Sequence, residues 1–149
     1  MQDPQGYLIV ETHPDHPGLV RVHASHEQPV LHTAGGVATP RQPVRLHYVA
    51  AFNALHVARM HAQTALGRYL VDSEHGLYRT DPITAIAAVD AIDLAHRERY
   101  LDPEYVDDPR LLEQVARRRR RHRINRRIWN GIGLLAIILL ILLSQVPIF

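Results

Sequence analysis

Imidazoles cluster near the N-terminus at intervals that suit chelation. His13 and His16 form one HxxH pair and His23 and His26 a second, with His32 shortly after. Neutral imidazoles three residues apart on a turn can hold Zn²⁺ or another borderline metal, and a hairpin between the pairs could bring them together. His13, His16, His23 and His26 are therefore the candidate metal ligands. A divalent metal is the one cofactor the chain suggests, and no other is predicted. The same cluster could instead make the domain pH-responsive, because imidazole changes charge between about pH 5 and 8. Three features oppose the metal. Residues three apart on a strand point to opposite faces, no Cys is present to complete a ligand set, and Pro14 and Pro17 shape the turn independently.

Farther along, Asn53 with His56 and Asp93 with His96 share the i, i+3 spacing of half a Glu-x-x-His motif, the unit of di-iron carboxylate bundles. Here one position is Asn, and the partner glutamates are missing. His56 and His61 have no CxxCH beside them to attach a haem. Nucleophiles are scarce: Ser occurs only at positions 25, 73 and 144, and Ser25 between His23 and His26 is adjacency in sequence, whereas triads are built by adjacency in space. No P-loop or GxGxxG is present to cradle a phosphate. The sequence predicts no enzyme.

Charge is divided sharply along the chain. Residues 1–116 hold nine Arg and fifteen acidic residues, a net of −6, whereas residues 117–149 hold eight Arg and no acid, a net of +8; together they give the chain's +2. The pI of about 9.3 thus reflects one block, Arg117, Arg118, Arg119, Arg120, Arg121, Arg123, Arg126 and Arg127, set against an apolar run. A nucleic-acid surface would interleave aromatics with its arginines, and only Trp129 is near. Membrane lipid is the expected partner of the eight arginines and Trp129, through its anionic headgroups, and no nucleic-acid partner is expected. All seventeen basic residues are Arg, which together with abundant Ala fits a GC-rich bacterial genome. Without Cys, no disulfide can form.

From Ile128 the chain reads IWNGIGLLAIILLILLSQVPIF, twenty-two residues without a charge. As a helix this stretch is about 33 Å long, enough for the roughly 30 Å hydrocarbon core of a bilayer. Its fourteen Leu, Ile, Val and Phe residues favour insertion, and nothing ionisable opposes them. The adjacent arginines put the preceding domain on the cytoplasmic side, with Ser144, Gln145 and Pro147 at the far interface. The expected topology is single-pass and tail-anchored, in a bacterial inner membrane. The N-terminus has no basic and apolar leader, so no secretory signal is expected there. An uncharged span offers no proton or ion path, and Gly131 and Gly133 are not spaced as GxxxG.

Before the anchor, YLIVET and LVRVHA flank a Pro- and Gly-containing turn and predict a β-hairpin, with Val20, Val22 and Ala24 on one face. A Pro-rich loop follows to residue 45. From Leu46 to about Asp72, Tyr48, Phe52, Leu55, Ala62, Leu66, Tyr69 and Leu70 fall in one stripe at helical spacing, and Gly76 reads as a C-terminal cap. Asp81 and Pro82 open a second helix running to Leu101, and Asp108 and Pro109 open a third. The expected fold is mainly α with a small N-terminal β-hairpin: hairpin and Pro-rich loop over 1–45, a helical pair over 46–101, a connecting helix with the juxtamembrane arginines over 102–127, and a single C-terminal transmembrane anchor over 128–149. An Arg such as Arg59 or Arg68 is expected to pair with Asp90. The second helix is apolar all round in its first half, which calls for cover by the third helix or a partner. The expected function is a membrane adaptor or accessory subunit whose domain docks on a protein partner or membrane complex. The alternative is a His-rich, metal-binding or pH-responsive tethered domain. Homo-oligomerisation is left open.

Overall fold

The computed structural model describes residues 6–29 and 44–144. Most of the expected Pro-rich loop, His32, and the far-interface residues Gln145 and Pro147 lie outside these. Strand β1 (Gly6–Thr12) and strand β2 (Val20–Ser25) form the hairpin that the sequence predicts. They are two strands of six. β3 (Arg45–Phe52), β4 (Leu70–Asp72), β5 (Leu77–Tyr78) and β6 (His96–Leu101) join them in one antiparallel sheet of order β4-β5-β2-β1-β3-β6. Helices α1 (Leu55–Leu66) and α2 (Pro82–Asp90) and the long α3 (Pro109–Ser144) complete the described elements.

The expected mainly α fold is thus overturned. The stretch 46–72, read as one helix, is β3, α1, a 3-10 turn over Gly67–Tyr69 and β4. β3 misleads because it lies centrally, between β1 and β6, and its apolar side chains are buried on both faces. Tyr48, Ala50 and Phe52 meet the helices, while Val49 is fully buried on the other side. A strand with two buried faces loses the period-2 alternation that would reveal it. The expected second helix stops at Asp90, eleven residues early, and its tail HRERYL becomes β6. Pairing with β3 (Phe52 opposite His96, Val49 opposite Tyr100) decides this, and no local residue announces it. As an edge strand, β6 carries Arg97, Glu98 and Arg99 exposed, charges that discourage pairing with another chain.

One core holds the layers together. Leu8 and Val10 of β1, Val20 and Val22 of β2, and Tyr48 and Phe52 of β3 pack against Leu55, Ala58, Ala62 and Leu66 along one stripe of α1. Thr84 through Val89 of α2 are all buried, between the sheet and the first turns of α3, where Leu111 and Val115 close over them. The apolar second helix is therefore covered from within the chain. Its start is as predicted: Asp81 accepts from the Thr84 N–H at 2.9 Å, with Pro82 at the first helical position.

Gly76 caps no helix. It closes the β4–β5 turn at φ +65°, and its carbonyl accepts from the Val22 N–H at 2.9 Å. A Cβ added there would sit 2.4 Å from the Val22 carbonyl oxygen, whereas Gly18, also at positive φ, has open space around it. Gly18→Ala should cost about 1 kcal/mol of backbone strain, and Gly76→Ala about 2 kcal/mol or more because strain and clash add. Urea unfolding of the full chain in mild detergent measures both, and equal losses would contradict the predicted difference.

Candidate functional site

The third helix begins with Asp108, whose carboxylate accepts from the Arg110 N–H at 2.8 Å, and Pro109 at its first position. Leu111 is its one fully buried residue, and from Arg119 onward every described side chain is exposed. The apolar half shares this exposure: none of its most apolar window is buried against the domain. A soluble core helix of this composition would be covered. By length and composition, α3 can cross a bilayer.

Where α3 leaves the domain, Asp90 fastens it. The Asp90 carboxylate accepts from Arg119 Nη2 at 2.9 Å and from the Tyr48 hydroxyl at 3.1 Å, and Arg119 also donates to the Asp90 backbone carbonyl at 3.2 Å. The partner of Asp90 is therefore Arg119, from the juxtamembrane block, and not Arg59 or Arg68. Burial, followed by the neighbouring Asp90 charge, pushes the Tyr48 phenol well above its ordinary pKa, so it remains a donor. His96 stands beside the group, its Nε2 3.5 Å from Asp90 Oδ1, its Nδ1 donating to the Leu94 carbonyl at 2.8 Å and its ring stacked 4.9 Å from Phe52.

Helical periodicity then sorts the arginines. Arg119, His122, Arg123 and Arg126 follow i, i+3, i+4, i+7 and line a cavity of about 350 Å³ with Asp93 and His96. Gln114, Arg117, Arg118 and Arg121 follow the same spacing on another face. They line a cavity of about 530 Å³ with Arg68, Tyr69 and Thr84. Arg117 bonds Glu113 at 2.9 Å within the helix. Arg120 and Arg127 line neither cavity, and Trp129 is exposed one turn beyond Arg126. Arg68 is not grouped with the arginines of α3 by sequence, because no local pattern links it to a helix some fifty residues away.

The histidine pairs lie at opposite ends of the hairpin. His13 and His16 occupy the β1–β2 turn with ring centroids 6.1 Å apart, and His13 Nδ1 is 3.2 Å from Asp15. His23 sits in β2 opposite Ile9, with Nδ1 3.5 Å from Glu11, and His26 follows the far end of the strand. Among the described residues no group of three or more His, Asp or Glu side chains is placed to share a metal ion. Of the pairs with Glu-x-x-His spacing, Asp93 and His96 share no helix, since His96 begins β6.

The imidazole most enclosed by the fold is His47, which sequence spacing did not single out. It is the extra residue where β3 slips register against β1, between the pairs Val10–Tyr48 and Glu11–Leu46. Its Nε2 is 2.8 Å from the Thr12 hydroxyl, its Nδ1 is 3.5 Å from Asp102 Oδ2, and its ring meets Tyr105 edge-on at 5.6 Å. Hydroxyl, imidazole and carboxylate in sequence could relay a proton. Here Arg45 holds the carboxylate instead, with Nε 3.1 Å from Asp102 Oδ2, and bonds Glu104 as well. The cluster ties the end of β3 to the segment after β6. Burial first, then Arg45, lowers the His47 pKa, and burial lowers that of His23. Burial would raise Asp102, but the Glu104 N–H and Arg45 outweigh it and hold the carboxyl below its ordinary value.

No family model, no curated protein and no solved structure matches the chain, so function must be argued from these residues.

Two predictions follow from the polar clusters. Asp90→Ala should destabilise by roughly 2 kcal/mol, since the buried Tyr48 hydroxyl loses its acceptor. Arg119→Gln should cost under about 1 kcal/mol, because Arg119 is half exposed, at 51%. Both should raise hydrogen exchange over residues 112–120, and unchanged exchange in Asp90→Ala would count against the staple. For pH, the unfolded His47 keeps its ordinary value of 6.5 while the folded one lies lower, so below pH 6.5 the unfolded chain binds more protons. Stability should fall as pH drops from 6.5 through the folded value, His23 contributing with the same sign. The urea midpoint read between pH 7.5 and 5 should decline, and His47→Gln should flatten the decline.

Proposed function

We propose that this protein is a single-pass membrane protein whose N-terminal domain works as a tethered binding module, an adaptor or accessory subunit held at the bilayer surface. The observation that carries this is the continuity of α3. One helix is packed into the domain at Leu111, fastened at Arg119, and passes through the arginine block into an uncovered apolar stretch. A domain attached in this way has its position set by the membrane. The arginines then meet anionic headgroups, each worth about 1 kcal/mol near the surface, with Trp129 at the interface. The positive-inside bias favours a cytoplasmic domain, and the Arg-only composition favours a bacterial inner membrane.

The apolar α2 needs no protein partner to cover it, since the sheet and α3 do so. Surface apolar side chains occur elsewhere: Val57 and Met60 on α1, and Leu70 and Val71 on the edge strand β4. β4 also presents an open edge that a partner strand could extend.

The chain contains no Cys, so a single thiol introduced as Ser73→Cys reports topology cleanly. The protein should resist carbonate extraction, and the thiol should react with an impermeant maleimide in inverted vesicles but not in intact cells. Extraction by carbonate would refute the anchor, and labelling from outside would refute the orientation. Purification in mild detergent as a bare monomer with no copurifying protein would remove the adaptor reading.

A further inference from the structure

The two arginine faces of α3 differ in how their charge is balanced. On the face of Arg119, Arg123 and Arg126, Asp90 holds Arg119 and Asp93 lines the cavity. The opposite cavity, of about 530 Å³, has Arg68, Arg117, Arg118 and Arg121 in its lining and no carboxylate. Arg117 is paired with Glu113. Arg68, Arg118 and Arg121 have no acidic partner among the described residues.

These cations converge from separate parts of the chain. Arg68 lies in the 3-10 turn after α1, and its guanidinium carbon lies over the Tyr69 ring, 4.5 Å from the centroid, while the group donates to the Tyr69 hydroxyl. Arg118 is half buried. That burial lowers its pKa; the neighbouring Tyr69 opposes the shift, and Arg68 and Arg121 add to it. A site of this kind gains most from an anion with several acceptor oxygens. Guanidinium groups bind phosphate through paired N–H donors, and a phosphomonoester carries about −1.5 to −2 charges and three strong acceptor oxygens. Its volume exceeds what a bare phosphate would fill.

Height above the bilayer narrows the ligand further, on the reading that α3 enters the membrane near Ile128. Arg121 lies about 10 Å before that point along the helix and Arg118 about 15 Å. The headgroup layer is only about 5 to 8 Å deep on each side. The diester phosphate of an ordinary phospholipid sits too low for this cavity, whereas a phosphate at the outer end of a headgroup comes within side-chain reach.

We propose that the cavity between the 3-10 turn and α3 binds a phosphomonoester, carried at the outer end of a lipid headgroup or on a small soluble molecule. Phosphatidylglycerol and phosphatidylglycerophosphate differ only in that terminal phosphate, and glycerol 3-phosphate supplies it without the lipid. The purified full chain in detergent micelles is titrated with each, and binding is read by native mass spectrometry. Phosphatidylglycerophosphate should bind about tenfold or more tightly than phosphatidylglycerol, and Arg68→Gln and Arg121→Gln should each weaken it by about fivefold or more. The double variant Arg123→Gln/Arg126→Gln, which removes two headgroup-facing charges from the other face, should weaken both lipids alike and leave the preference for phosphatidylglycerophosphate over phosphatidylglycerol within about twofold of its original value. Arg121 has no hydrogen bond or ion pair to lose among the described residues, whereas Arg68→Gln gives up the contact with Tyr69, so the unfolding midpoint of each variant is measured to confirm that it folds.

Equal affinity for the two lipids, no effect of Arg68→Gln, or loss of the phosphatidylglycerophosphate preference in the double variant would each overturn the site, leaving only a diffuse basic field. If glycerol 3-phosphate binds as tightly as phosphatidylglycerophosphate, the ligand is soluble; if it binds about tenfold more weakly or worse, the ligand belongs to the membrane. Failure of this titration in a chain that resists carbonate extraction removes the site alone. Loss of membrane retention removes the anchor on which the height argument rests.

Discussion

Asp90 ties three packed parts of the molecule together through one carboxylate. Its side chain meets Tyr48 from the central strand β3 and Arg119 from α3, and it is itself the last residue of α2. A carboxylate this enclosed, 20% exposed, is tolerable only with donors on both oxygens, and the fold supplies a phenol for one and a guanidinium for the other. The arrangement fixes which way α3 is rotated as it leaves the core. Every later residue of the helix inherits that rotation, so the placement of the arginines follows from one carboxylate.

The periodicity of an α-helix explains how a run of like charges becomes two different surfaces. In sequence, residues 117–127 are a nearly uniform basic block. Once the rotation is set, positions 117, 118 and 121 face the 3-10 turn, and 119, 123 and 126 face the end of α2. Repulsion among adjacent arginines is relieved on one side by Asp90 and Asp93. On the other side Glu113 pairs with Arg117 alone, Arg118 and Arg121 keep their repulsion, and Arg68 adds to it. Unrelieved repulsion lowers stability, and such strain in a folded domain is commonly associated with recognition of an opposite charge.

How much of this was legible beforehand depended on whether the determining residues were local. The hairpin was, because Val20, Val22 and Ala24 alternate with Arg21 and His23. The starts of α2 and α3 were, because Asp81–Pro82 and Asp108–Pro109 act on the next few amides. β3 and β6 were not. The first is apolar at nearly every position because both of its faces are covered, and the second is a strand only because β3 offers it an edge. A helix long and apolar enough to cross a membrane could be read from the uncharged run that begins at Ile128. Asp90 with Arg119, and Arg68 with Arg118, are pairs formed across long stretches of chain, and His47 gains its surroundings from a one-residue slip in register. Spacing rules cannot find such partners, since they describe one element at a time.

The unbroken course of α3 has a mechanical side. A flexible linker between domain and span would let the domain tumble, whereas Pro109–Ser144 runs as one helix, with no proline after its first position. In a bilayer, an apolar segment longer than the local hydrocarbon thickness adjusts chiefly by tilting, and if α3 is the anchor proposed above, that tilt would pass to the sheet and its cavities. A thinner membrane would lean the domain over, lowering one flank of the helix towards the lipid and raising the other. Bilayer thickness would then be read out as the attitude of the folded part, through a rod that has no joint in it.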